Sequence, residues 1–222
     1  MLDSTPLGAI GHLRDDLMKT ILIYGAYGYT GRLIVERALA ESGRPVLGGR
    51  REAPLRMLAE ETGLSFRAFD LADLATDSDA LDGVSTVIHA AGPFVHTAQP
   101  MMEACLKAGV HYLDITGEIA VFERAARLHE QAIERGITLC PGVGFDVAPT
   151  DCLAARVAAR LPGATHLELA FATRGGVSRG TALTAIEGLD QGSAERVDGR
   201  IVALPSGAVS RRIPFADKER HC

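Results

Sequence analysis

"ILIYGAYGYTGRLIVERALAESG", residues 21–43, sets Gly25, Gly28 and Gly31 at equal spacing between a β-branched run and an amphipathic stretch. An ordinary turn needs one glycine; three imply a backbone that something else must approach closely. In a βαβ unit the turn from first strand into helix aims backbone N–H groups and the positive end of the helix dipole at one point, where a pyrophosphate can sit. Gly25 then serves the tight turn off the strand, Gly28 the approach of backbone to phosphate, and Gly31 the close packing of helix on strand.

The surrounding pattern supports that placement. From residue 20 to about 145, short β-branched runs alternate with helical stretches closed by glycine, as βαβ units of a parallel sheet do. Strands are expected at "TILIY" (20–24), "PVLGGR" (45–50), "LSFRAFD" (64–70), "VSTVIHAAG" (84–92), "VHYLDI" (110–115) and "ITLCPG" (137–142), the fourth being apolar on both faces and so central. The helix after the glycines is expected to turn Leu33, Ile34, Ala38 and Leu39 inward and to end on Gly43 as a left-handed cap. Further helices are expected over 53–63, over 100–109 and from Glu118 to Arg135. The fold class is therefore α/β, a doubly wound parallel Rossmann sheet, followed by part of an α+β second domain.

That second part starts after Phe145, with a helix at 149–161, an alternating strand at 165–173 in "THLELAFAT", a helix at 180–189, and a hairpin over 199–215 turning at Pro205-Ser206-Gly207. The expected organisation is an N-terminal extension (1–17) outside the fold, a nucleotide-binding domain (18–147) and a partial substrate or dimerisation domain (148–222). About 75 residues are few for a self-sufficient α+β domain, so this part is expected to be cut short or to borrow its core from a partner chain.

Bulk properties narrow the partners. The 222 residues are 47% hydrophobic and 23% charged, with 23 basic against 28 acidic side chains and a formal net charge of −5. No stretch concentrates lysine and arginine, which argues against nucleic acid. Cys105, Cys140, Cys152 and Cys222 form no CxxC pair, so neither a zinc site nor a disulfide framework is expected and a cytoplasmic, reducing setting fits. No run of about 18 apolar residues is present, so a soluble protein without a membrane span is expected.

The second strand ends in "GGRR" (48–51), where a carboxylate would hold the ribose hydroxyls of NAD. Arg50 and Arg51 stand there instead and can meet the 2′-phosphate of NADP, so NADP is preferred over NAD, although the pair also suits a solvated loop. Asp70, at the end of the third strand, is placed either for the adenine amino group or as an N-cap for the next helix. Ala91, Gly92 and Pro93 in "HAAGPF" (89–94) let the middle of a cofactor lie against backbone, and Tyr27, Tyr29 and Thr30 join the glycines as loop contacts.

The GxxGxxG spacing is typical of short-chain-dehydrogenase-like Rossmann domains, yet their tyrosine with a lysine four residues later is absent: Tyr24, Tyr27, Tyr29 and Tyr112 are followed at that spacing by Gly28, Gly31, Leu33 and Thr116. Candidates for proton transfer or substrate anchoring are Asp114 and Glu118 in "YLDITGE", Asp146 in "GFDVAPTD", and His96. Asp114 and Thr116 also suit a cap for the helix that begins near Glu118, and Asp146 a cap for the one beginning at Pro149. Arg174 and Arg179 suit an anionic substrate or plain solvation, and His111 suits a structural role.

"GAYGYTG", "GGRR", "AGPF", "YLDITGE" and "PGVGFDVAPTD", in this order, resemble the saccharopine dehydrogenase-like oxidoreductases, a group that includes saccharopine reductases and mycobacterial trans-acting enoyl reductases. "SRGTALTAIEGL" and "DGRIVALP" resemble the start of that family's second domain. The resemblance implies an NADP-binding domain, a second domain that covers the cofactor and helps form a homodimer, hydride transfer to or from a small-molecule substrate, and a chain shortened at its C-terminal end. Two other readings stay open: a non-catalytic NADP-binding regulatory module, and an assembly module.

Overall fold

β1 (Ile21–Tyr24) is the strand around which the N-terminal part is built, because its alternating side chains serve both faces of a sheet at once. The computed structural model describes residues 21–74, 79–171, 175–176, 179–188, 192–208, 210–215 and 219–221; the expected extension 1–17, Thr20 and Arg174 lie outside them. The subsequent elements are α1 (Tyr29–Ala40), β2 (Val46–Gly49), α2 (Glu52–Thr62), β3 (Phe66–Ala68), a 3₁₀ turn at Asp79–Leu81, β4 (Thr86–His89), α3 (Phe94–Ala108), β5 (His111–Asp114), α4 (Ile119–Arg127), α5 (His129–Arg135) and β6 (Leu139–Cys140).

The six strands form one parallel sheet in the order β3-β2-β1-β4-β5-β6. β1 is hydrogen-bonded to both β2 and β4, with Leu22 opposite Val46 on one side and Val87 on the other. Leu22, Tyr24, Val87 and Tyr112 pack on one face with Met101 and Met102 of α3 and Val121 and Ala125 of α4. Ile23 and Leu47 pack on the other with Val35 of α1 and Leu55 and Leu58 of α2. Helices therefore cover both faces, and the strand order reverses between β1 and β4, which opens a crevice at the carboxyl edge.

Several elements differ from the sequence expectation for physical reasons. Leu33 is exposed and borders an open apolar groove of about 430 Å³ with Ile21, Ile34 and Ile88; Val35 is the α1 side chain fully buried in the core. α1 ends through Ser42, at φ +63°, while the Gly43 N–H donates to the Ala38 carbonyl at 2.8 Å, a six-to-one closure in which the glycine follows the left-handed residue. α3 begins at Phe94 and carries Pro100 inside it, so that proline opens no helix. The expected helix from Glu118 to Arg135 is two: Leu128 leaves the helical conformation at φ −92°, ψ 4° and packs against two clusters, one around Val121 and one around Leu106 and Ile137.

Residues through Asp151 form one compact unit and those from Cys152 another, with α6 (Ala148–Arg160) running across that point. The second unit contains α7 (Arg179–Glu187), β7 (Ser193–Val197), β8 (Arg200–Leu204), β9 (Arg212–Pro214) and β10 (Glu219–His221). Its hairpin is β7–β8, turning at Asp198 (φ +48°) and Gly199 (φ +77°), the pair of left-handed residues a tight two-residue hairpin demands. The expected turn at Pro205 is present, with the Ala208 N–H donating to the Pro205 carbonyl at 3.1 Å, but it does not join paired strands: β9 pairs with β10. Residues 165–171 pair with no strand among the described residues, because alternation supplies the faces of a strand and not its ladder partner.

Candidate functional site

Local geometry gathers the ends of β1, β2 and β4. Gly25 sits at φ +87°, and a Cβ there would stand 2.9 Å from both Ala90 C and Ala91 Cβ, so the glycine loop lies flush on the stretch after β4. The N–H groups of Gly25 and Ala26 both donate to the Gly48 carbonyl, at 2.9 and 3.2 Å, which ties the loop to β2. A Cβ at Gly31 would fall on the Gly25 carbonyl, with Ala26 Cα 2.9 Å away, whereas at Gly28 the nearest atom is the Gly25 oxygen at 3.1 Å.

Gly28 is the N-cap of α1, with no side-chain cap and no acidic residue in the first turn. The positive end of the helix is thus uncompensated by the protein, and glycine leaves it open to an anion. The open N-cap at Gly28, with no side chain over it, leaves a cradle whose chemistry fits a dinucleotide pyrophosphate.

Tyr27 lies across β2: a Cβ on Gly49 would come within 2.8 Å of its ring. The Arg51 guanidinium stands over that ring at 5.1 Å from the centroid, and the Arg51 N–H donates to the phenolic oxygen at 3.4 Å. Arg50 faces Asp70 at 4.0 Å, a weak exposed pair, and Asp70 accepts from the Ala72 N–H at 3.1 Å in a turn rather than capping a helix.

The "HAAGPF" stretch is fastened from α3. The Thr97 hydroxyl donates to the Ala91 carbonyl at 2.8 Å or to that of Pro93 at 3.0 Å, and the Gly92–Pro93 bond is cis. Sequence reasoning missed Thr97, whose signal is a hydroxyl in the first helical turn after a Gly-Pro. His89, fully buried, is ringed by Tyr24, Phe94 and Tyr112, and burial pushes its pKa down to about 3, so it stands neutral.

The three carboxylate candidates separate. Asp114 is fully buried and accepts from the Tyr112 hydroxyl at 2.6 Å and from the N–H groups of Thr116 and Gly142, each at 2.9 Å. Burial raises its pKa above the ordinary value while those three donors pull it down. It fastens the end of β5 to the loop after β6. Asp114→Ala strands three donors and is expected to cost about 2 kcal/mol, with Asp114→Asn milder, as read from urea unfolding midpoints.

Glu118 accepts from the N–H of Phe94 at 3.0 Å and from that of Val95, compensating the N-terminus of α3. Asp146 is exposed, packs against Gly117, and has no hydrogen-bond partner for its carboxylate among the described residues; it does not cap α6. His96 is exposed on the first turn of α3, and the His111 ring accepts from the Thr138 N–H at 3.0 Å, linking β5 to β6. Arg179 opens α7. Among the described residues no cluster of three or more His, Cys, Asp or Glu side chains could hold a metal, and no helix is long and apolar enough to cross a membrane.

Strand order, glycine loop and open helix terminus define a dinucleotide-binding domain of the doubly wound class. The chain belongs to the family of the saccharopine dehydrogenase NADP binding domain, whose model matches residues 21–140. It is 30% identical over 187 residues to a provisionally named trans-acting enoyl reductase of Mycobacterium tuberculosis, covering 78% of this chain and 45% of that one. It is also 34% identical over 139 residues to the trans-acting enoyl reductase of Mycobacterium leprae, covering 59% and 33%. The chain thus spans less than half the length of these relatives. In fold it is similar to saccharopine dehydrogenase (L-Glu forming) of Saccharomyces cerevisiae, with a TM-score of 0.56 at 16% identity over 65% of this chain and 31% of that one.

Proposed function

We propose that this chain is an NADP-dependent oxidoreductase acting on a small-molecule substrate, with residues 18–147 as the nucleotide domain and 148–222 as part of a substrate or dimerisation domain. The observation that carries this reading is the open N-terminus of α1 at Gly28, backed by two arginines at the end of β2. In this reading Gly25, Gly28 and Gly31 hold the pyrophosphate, Arg50 and Arg51 the 2′-phosphate, Asp70 borders the adenosine, and Ala91, Gly92 and Pro93 line the nicotinamide end.

NADPH, when bound, supplies a hydride at its nicotinamide. The protein's part is to hold the acceptor in contact with that carbon and away from water, which asks for few acids or bases. Asp146 is the carboxylate we assign to substrate anchoring or proton handling, since Asp114 is occupied by the Tyr112 hydroxyl and two backbone donors and Glu118 by backbone donors. The enoyl reductase names of the relatives support an activated double bond as the acceptor. A non-catalytic NADP-binding module is the second reading, favoured by the engagement of those two carboxylates; turnover of any reducible substrate excludes it.

Titration with NADPH and NADH, followed by cofactor fluorescence, tests the proposal. Tight NADPH binding that weakens by tenfold or more in Arg50→Asp, with NADH little changed, is the expected result, because charge reversal there repels the 2′-phosphate. Failure to bind either nucleotide sinks it.

A further inference from the structure

Arg50 and Arg51 look equivalent in sequence and are not equivalent in space. Arg50 shares its charge with Asp70 at 4.0 Å, while Arg51 has no carboxylate partner among the described residues. What Arg51 has instead is Tyr27. The ring of Tyr27 occupies the space that a side chain on Gly49 would fill, its hydroxyl accepts the Arg51 N–H at 3.4 Å, and the Arg51 guanidinium stands 5.1 Å from its centroid.

We infer that Tyr27 is a positioning residue, and that its ring holds Arg51 as the cation that receives the 2′-phosphate of the nucleotide. The inference rests on the NADP reading of the site and deepens it. Three contacts converge on the same outcome: Gly49 gives the ring its seat, the Arg51 backbone fixes the ring's far end, and the ring face carries the guanidinium. An exposed arginine samples many rotamers, and holding it over an aromatic face before the ligand arrives removes part of that freedom without neutralising the charge. A carboxylate partner would order the same arginine but cancel it. The Tyr27 ring acts through Arg51 while the Tyr27 backbone stays in the glycine loop, so loss of the ring alone acts on the nucleotide that carries a 2′-phosphate.

The test is fluorescence titration of the full chain with NADPH and NADH for the wild type, Tyr27→Phe, Tyr27→Ala, Arg51→Ala and the Tyr27→Ala/Arg51→Ala double variant. Tyr27→Ala is expected to weaken NADPH about fivefold and leave NADH within twofold. Tyr27→Phe keeps the ring and its seat against Gly49 and loses only the long, exposed 3.4 Å bond to the hydroxyl, so it is expected to stay near wild type. In the Arg51→Ala background the Tyr27→Ala change is expected to have no further effect. Equal weakening of both nucleotides by Tyr27→Ala, an undiminished effect in the Arg51→Ala background, or wild-type NADPH affinity in Tyr27→Ala overturns this inference alone. A wild type that binds neither nucleotide removes the NADP reading and this inference with it.

Discussion

Gly31→Ala is expected to lower the stability of the nucleotide domain by on the order of 3 kcal/mol, visible as a large drop in the urea midpoint. The added carbon meets only backbone, the Gly25 carbonyl with its carbon at 2.8 Å and Ala26 Cα at 2.9 Å, and backbone at the foot of a central strand cannot step aside as a side-chain tip does. Gly28→Ala gives the contrasting result. Its φ of −72° suits any residue and its nearest neighbour is a single oxygen at 3.1 Å, so the fold is expected to lose less than about 1 kcal/mol while NADPH affinity falls tenfold or more. Two glycines of one motif thus separate into one that the fold needs and one that the ligand needs. A Gly31→Ala protein with an unchanged urea midpoint sinks that division.

Acidification is expected to remove on the order of 4 kcal/mol of stability through His89 alone. With its folded pKa pushed down to about 3 by burial, the ring stays neutral in the native state while the unfolded chain takes up a proton below about 6.5. Because the unfolded state binds the extra proton, stability is full above 6.5 and falls by about 1.4 kcal/mol per pH unit as pH drops towards 3. Asp114 works in the opposite direction. Its raised pKa makes the native state the better proton binder, so its contribution is present at low pH and fades as pH rises through the folded value. His89→Leu isolates the larger effect, since neither ring nitrogen has a hydrogen-bond partner among the described residues and the volume is nearly kept. Urea unfolding at pH 4 and pH 7 should show a much smaller difference for the variant; parallel losses in both proteins rule the assignment out.

The nucleotide domain was largely legible in the sequence because its signals are local. Glycine spacing, β-branched runs and glycine closures each act over a few residues, and together they placed all six strands and the carboxyl edge. The helix expected over 100–109 starts earlier, at Phe94, because the turns before Pro100 are held by Glu118, which lies 24 residues beyond Phe94. Leu128 breaks a continuous helical pattern because two clusters claim its side chain, which no window of sequence reveals. In the second unit the Asp198-Gly199 hairpin was readable from its dipeptide and was displaced by the more conspicuous Pro-Ser-Gly. At the site, sequence order supplied the residue types and withheld their engagements. That Asp114 spends its oxygens on the Tyr112 hydroxyl and two backbone N–H groups and Glu118 on two more, while Asp146 has no such donors among the described residues, depends on chain segments as distant as Gly142.

The position of β1 also bears on how the chain is made. β1 forms ladders on both edges, and its partner β4 begins about 65 residues later in the chain, with Thr86 opposite Ile21. At roughly 5–20 residues per second, β1 therefore waits several seconds with one apolar edge unmatched. Of the final sheet, only the β2 and β3 side of β1 precedes β4 in the chain, so until β4 is made the other edge of β1, reading Ile-Leu-Ile-Tyr, has no partner within the six-stranded sheet. Synthesis rate, rather than final stability, sets how long that edge is available to other chains.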